Sequence, residues 1–198
     1  MADYHFAEAA APAGSPLLVL LHGTGGDEND LIALGREVMP GAHLIAPRGD
    51  VSEGGSLRFF KRLGMGVFDM DDLARATDKL GAFVAAQAAR LKPASVYALG
   101  YSNGANILAS LLFADPGRIE RAVLMHPLIP FDPPPQPGLA GRKVLITAGR
   151  IDPMAEVATT ERLGAYFERQ GAQVDLAWHD GGHEMRPTEL AATKAFLG

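Results

Sequence analysis

The stretch Ala98-Leu99-Gly100-Tyr101-Ser102-Asn103-Gly104-Ala105-Asn106 decides how the rest of the chain reads. It has the form G-x-S-x-G, follows a β-rich apolar run from Ser95 to Leu99, and opens a helical pattern from Asn103 to Phe113. A serine in so sharp a strand-to-helix turn is held in a strained backbone, with its hydroxyl above the sheet. Glycines at 100 and 104 let strand and helix approach closely, because neither carries a Cβ. The first N–H groups of the following helix aim partial positive charge at the same spot. A tight glycine-rich turn around an ordinary serine would look the same over five letters, so the partners elsewhere have to decide.

Outward from this turn the chain alternates strands and helices. Leu17-Leu18-Val19-Leu20-Leu21 is continuously apolar, which suits a strand buried on both faces of a parallel sheet. It runs into His22-Gly23-Thr24-Gly25-Gly26, after which Asp27 is expected to cap a helix with Leu31, Leu34 and Val38 inside. His43 to Ala46 is a second strand, ended by Pro47. Arg48 to Phe68 shows no period and is expected as a long loop, a kind that is often functional. Asp69, Asp71 and Asp72 open the longest helix, whose apolar face (Leu73, Ala76, Leu80, Phe83, Ala88, Leu91) runs until Pro93. Ala122–Met125, Lys143–Ala148 and Val174–Trp178 read as further strands. Val157–Gln170 reads as a helix stopped by Gly171, and Pro187 starts a closing helix to Leu197. The Pro-rich stretch from Pro127 to Gly141 is a stiff loop. No repeat or domain boundary interrupts the pattern, which predicts one domain over residues 1–198 of the doubly wound, mostly parallel α/β class.

In such sheets chemistry gathers at the carboxyl ends of the strands. Thr24, Ser102, Asp152 and His183 all fall just past predicted strand ends. Nucleophile, then acid, then histidine is the order in which the partners of a nucleophile on a strand–turn–helix elbow follow it. Neutral serine needs a base, histidine titrates near neutrality, and a carboxylate on Nδ1–H fixes its tautomer. A tetrahedral intermediate needs two convergent donors, which the backbone N–H groups of Asn103 and Thr24 would supply. Asp152-Pro153 is also turn chemistry, Asp175 and Asp180 are rival acids, and His22–Gly26 lacks the spacing of a dinucleotide fingerprint. His179 and His183 are spaced like a metal pair, but Gly181-Gly182 breaks any helix that would align them, so no metal or cofactor is expected.

Composition narrows the classes. The chain has 198 residues, 47% hydrophobic and 21% charged, enough to bury roughly 70% of its unfolded surface. A net charge of -5 without a basic stripe argues against nucleic acid; the short cluster Arg58-Phe59-Phe60-Lys61-Arg62 is too small to alter that. Cysteine is absent, which removes disulfides, thiolate metal sites and a cysteine nucleophile. Met1 to Glu8 has no basic leader character and no apolar run reaches membrane length, so a cytoplasmic protein without membrane insertion is expected.

Leu21-His22-Gly23-Thr24-Gly25-Gly26-Asp27-Glu28, Pro47-Arg48-Gly49, Arg58-Phe59-Phe60, Gly100–Asn106 and Gly181-Gly182-His183 together resemble the carboxylesterase/phospholipase/acyl-protein-thioesterase group of α/β-hydrolases. Within it the chain is similar to small bacterial hydrolases associated with hydroquinone and quinone stress, and the likeness covers nearly the whole length. The resemblance implies a cofactor-free serine hydrolase with Ser102, Asp152 and His183 as triad and the Thr24 and Asn103 amides as oxyanion hole. Homodimers are common among such proteins. The chain departs from the pattern at Arg150, whose bulk is expected to alter the pocket beside the acid.

No segment is long enough for a large lid. The walls are expected from the two extended loops, with Phe59, Phe60, Met65 and Phe68 on one and Leu128, Ile129 and Phe131 on the other. Some of these aromatics are expected instead to pin the loops to the core. The leading expectation is hydrolysis of short-chain or small aromatic esters through an acyl-enzyme. An acyl thioesterase and a non-catalytic ligand-binding relative are the alternatives, since fold alone never establishes function.

Overall fold

The computed structural model describes residues 4–198. Residues 1–3, part of the acidic start of the chain, lie outside the described residues. Along the chain run β1 (Phe6–Ala9), β2 (Leu17–Leu21), α1 (Ile32–Val38), β3 (His43–Pro47), β4 (Val51–Glu53), β5 (Ser56–Arg58), β6 (Arg62–Gly64) and β7 (Val67–Phe68). Then follow α2 (Met70–Leu91), β8 (Val96–Tyr101), α3 (Asn103–Ala114), β9 (Arg121–Met125), β10 (Lys143–Gly149), α4 (Val157–Arg169), β11 (Gln173–His179) and α5 (Pro187–Leu197).

Seven strands form one sheet in the order β1-β3-β2-β8-β9-β10-β11, parallel except for β1 at the edge. Alternate residues of β2 explain the layers. Leu17, Val19 and Leu21 pack with apolar side chains of α2, α3 and α4, whereas Leu18 and Leu20 pack with Leu31 and Val38 on the α1 side and Leu197 of α5. Burial on both faces is why this strand is unbroken in its hydrophobicity. The expected α/β-hydrolase architecture is the one observed, and no helix among the described residues is long and apolar enough to cross a membrane.

Two local expectations need correction, and one strand is new. α1 begins at Ile32, not after Asp27; the Asp27 carboxylate instead accepts from the Asn29 N–H at 2.7 Å, closing an Asx turn that competes with helix initiation. Residues 48–68 are not an unstructured loop but two hairpins, β4 with β5 and β6 with β7. The first turns on Gly54 and Gly55, both at positive φ (57° and 90°), as a two-residue hairpin requires. β1 carries no clear periodic signal in four residues, three half-buried and Glu8 exposed; it pairs antiparallel with β3 and covers that edge.

Candidate active site

β2 and β8 are neighbours at the point where the strand order reverses, with Leu21 opposite Gly100. A crevice opens at the carboxyl ends of strands at such a point. β8 ends at Tyr101 and α3 starts at Asn103, leaving Ser102 alone in the turn at φ 52° and ψ -114°. That conformation costs a residue with a Cβ on the order of 1–3 kcal/mol. The turn closes this tightly only with glycine on both sides. A Cβ at Gly100 would run into the Gly104 carbonyl, and one at Gly104 into the Leu21 carbonyl.

The structure brings Ser102, His183 and Asp152 together. Ser102 Oγ lies 2.8 Å from His183 Nε2, and His183 Nδ1 lies 2.7 Å from Asp152 Oδ2. With a carboxylate at Nδ1, the imidazole carries its proton there, so Nε2 accepts from the serine hydroxyl. The Asp152 side chain has no exposed surface, whereas that of His183 is 22% exposed and reaches the cleft. Burial alone would raise the Asp152 carboxyl. Hydrogen bonds from His126 and His183, with the Met154 N–H, outweigh it and hold the group below its usual range. Its second oxygen accepts from Met154 N at 2.8 Å and Ala155 N at 3.1 Å, fixing the plane of the carboxylate. Asp175 and Asp180 are exposed and take no part.

Among the described residues the backbone N–H groups of Thr24 and Asn103 have no hydrogen-bond partner. Their surroundings are nonetheless fixed. Thr24 Oγ1 accepts from Arg58 Nη1 at 2.7 Å, Gly25 N donates to the Leu57 carbonyl at 2.9 Å, and Asn103 Oδ1 accepts from Phe59 N at 2.8 Å. Behind them His22 donates from Nδ1 to the Gly23 carbonyl (2.7 Å) and accepts at Nε2 from Gly49 N (2.9 Å). Burial pushes this imidazole down, which keeps it in that neutral form. Two unspent donors beside a hydroxyl–imidazole–carboxylate chain can stabilise an oxyanion formed on the serine.

A cleft of about 40 Å³ sits over these groups, lined by Thr24, Arg58, Arg62, Met65, Phe68, Ser102, Asn103, Asn106, Leu128, Met154 and His183, among others. Of the expected wall residues, Met65, Phe68 and Leu128 line this cleft. Phe59 and Phe60 do not line it: both are fully buried, with Phe59 packed against His22 and Phe60 edge to face with Phe68, so they anchor the hairpins from inside. Ile129 is buried too, and faces a separate cavity against α4. Arg150 leaves the pocket unaltered, because it lies over the Trp178 ring, 5.4 Å from its centroid. Nor do His179 and His183 pair; His179 turns inward to Glu189.

Several residues at the site escaped the sequence reading. Tyr101 donates to the His183 carbonyl, Asn106 Oδ1 accepts from Leu128 N at 2.7 Å, and Arg58 is the buried arginine holding Thr24. His126 and Glu189 lie behind Asp152. Arg58, Tyr101 and Asn106 stand within stretches that carry the family resemblance, and His126 is a polar residue just past a strand end, like Thr24, Ser102, Asp152 and His183.

No protein-family model matches the chain. It is 46% identical over 175 residues to a Bacillus subtilis (strain 168) protein named "Putative hydrolase MhqD", covering 87% of this chain and 88% of that one. Among solved structures, a carboxylesterase from Bacillus cereus superposes with a TM-score of 0.89 at 38% identity, covering 96% of this chain and 91% of that one. The protein Atu2452 of unknown function from Agrobacterium tumefaciens str. C58 superposes with a TM-score of 0.92 at 47% identity, covering 98% and 95%. With this fold and these relatives, the chain belongs to the carboxylesterase-type hydrolases of the α/β-hydrolase family.

Proposed function

We propose that the protein hydrolyses short-chain or small aromatic carboxylic esters through an acyl-enzyme on Ser102. The observation carrying this is the continuous chain from Ser102 Oγ through His183 to Asp152, at 2.8 and 2.7 Å, beneath two unspent backbone donors. His183 Nε2 takes the hydroxyl proton as Ser102 attacks the ester carbonyl, and the amides of Thr24 and Asn103 receive the oxyanion. The imidazolium returns the proton to the leaving alcohol. Water, deprotonated by the same nitrogen, then releases the acid. Asp152 stays ionised throughout and holds the ring.

Substrate size follows from the walls. The cleft is small and short-sided, and its lining carries two guanidinium groups without a carboxylate. Short neutral or anionic esters fit such a lining better than long-chain or cationic ones. Ser102→Ala tests the reading: it should abolish turnover of p-nitrophenyl acetate and labelling by a fluorophosphonate while leaving the fold intact. Labelling that survives this change rejects the assignment.

A further inference from the structure

β9 lies between the strand that delivers Ser102 and the strand that delivers Asp152, and the residue just past its end is His126. The side chain has no exposed surface, and the residue adopts a positive φ of 51°. Both of its ring nitrogens face carboxylates. Nδ1 lies 3.0 Å from Asp152 Oδ2, the oxygen that also receives His183, and Nε2 lies 3.0 Å from Glu189 Oε1.

Counting protons settles the charges. Glu189 accepts from Thr147 Oγ1 (2.5 Å), from Arg186 N (2.7 Å) and from His179 Nε2 (3.2 Å) before His126 is considered. Asp152 accepts from Met154 N, Ala155 N and His183. Carboxylates ringed by so many donors are ionised, so both His126 nitrogens bear protons. We propose that His126 is a positioning residue for ester hydrolysis, a permanent imidazolium that holds Asp152 ionised and aimed at His183 and is itself anchored by Glu189 of α5. Burial opposes this charge, but the hydrogen bonds and charges of Glu189 and Asp152 outweigh it and raise the His126 imidazole.

The same donors could be taken for a metal site, because one ligand atom each from His126, His179 and Glu189 lies within 4.8 Å of the others. The tautomer of His179 argues otherwise. Its Nδ1 accepts from Gly181 N at 2.9 Å, so its proton sits on Nε2, the atom a cation would need bare. The cluster carries protons instead. The titratable groups facing His126 are Asp152, Glu189, His179, His183 and the edge of Tyr101. The His183 ring lies 5.2 Å away centroid to centroid. His126 keeps both of its protons during turnover.

The proposal rests on the role of Ser102, His183 and Asp152 given above, and its test is separable from theirs. Nitrogen-15 NMR of the wild-type imidazoles at pH 7 should find both His126 nitrogens protonated; a bare nitrogen overturns the proposal without any variant. His126→Asn keeps a donor toward Asp152 and tolerates positive φ, but removes the charge. Its kcat for p-nitrophenyl acetate should fall about tenfold with KM nearly unchanged, because only the aim of Asp152 and His183 at the reacting atoms is lost. A loss that lies in KM, or in the amount of folded protein with kcat unchanged, would mark His126 as merely structural and overturn the proposal. Zinc titrated into the wild-type chain should give no stoichiometric binding; a one-to-one site lost in His179→Gln also overturns it. Turnover surviving in Ser102→Ala would instead reject the underlying reading, leaving the NMR result on His126 to stand apart.

Discussion

The phenol of Tyr101 donates to the backbone carbonyl of His183 at 2.6 Å, so the residue before Ser102 holds the loop that carries His183. The two rings also pack at 5.6 Å between centroids, which leaves the aromatic contact in place when the hydroxyl is removed. Tyr101→Phe should therefore lower kcat about three- to tenfold with little change in KM, and cost about 1 kcal/mol of stability. Steady-state kinetics and thermal unfolding check both. An unchanged kcat would show that the loop is held by other means.

Strain at Ser102 gives a second prediction. Its φ of 52° and ψ of -114° suit glycine better than any residue with a Cβ. Ser102→Gly should be more stable than Ser102→Ala by about 1 kcal/mol, although neither turns over ester. Equal unfolding midpoints for the two variants would contradict the strain.

Acid stability has a group of its own, away from the cleft. Hydrogen bonding from Arg48 holds Glu28 down from the usual 4.5 to about 2. A carboxylate with a depressed folded-state pKa contributes stability that is full above its unfolded value and disappears as pH falls through the folded one. The contribution of Glu28 is thus present above pH 4.5 and lost between there and about pH 2. Glu28→Gln should flatten the unfolding profile across that window and lower stability above it. A profile unchanged across the window would show that Arg48 and Glu28 do not interact in solution.

Chain-length selectivity tests the cleft. With Phe59 and Phe60 buried and only Met65, Phe68 and Leu128 of the expected walls lining it, a cleft of about 40 Å³ accommodates short acyl groups. On p-nitrophenyl esters, kcat/KM should peak at two to four carbons, about tenfold above the octanoate. A maximum at long chains would overturn this reading of the cleft. Matched oxygen and sulfur esters, run in parallel, separate esterase from thioesterase.

The amino-acid order by itself determined the α/β alternation, the elbow at Ser102, and the placing of Thr24, Asp152 and His183 beyond strand ends. These are local signals: unbroken apolar runs for strands buried on both faces, glycines where backbones touch, and Asp69 accepting from Asp72 N at the start of α2. The hairpins between Arg48 and Phe68, the edge strand β1 and the inward turn of Phe59 and Phe60 were decided only in three dimensions. Short half-buried strands have no period of their own and take their pairing from the neighbours they meet. The same holds for the network behind the acid. His126, Asp152 and Glu189 come from a strand end, a loop and a helix far apart in the chain, and the order of strands in the sheet makes them neighbours.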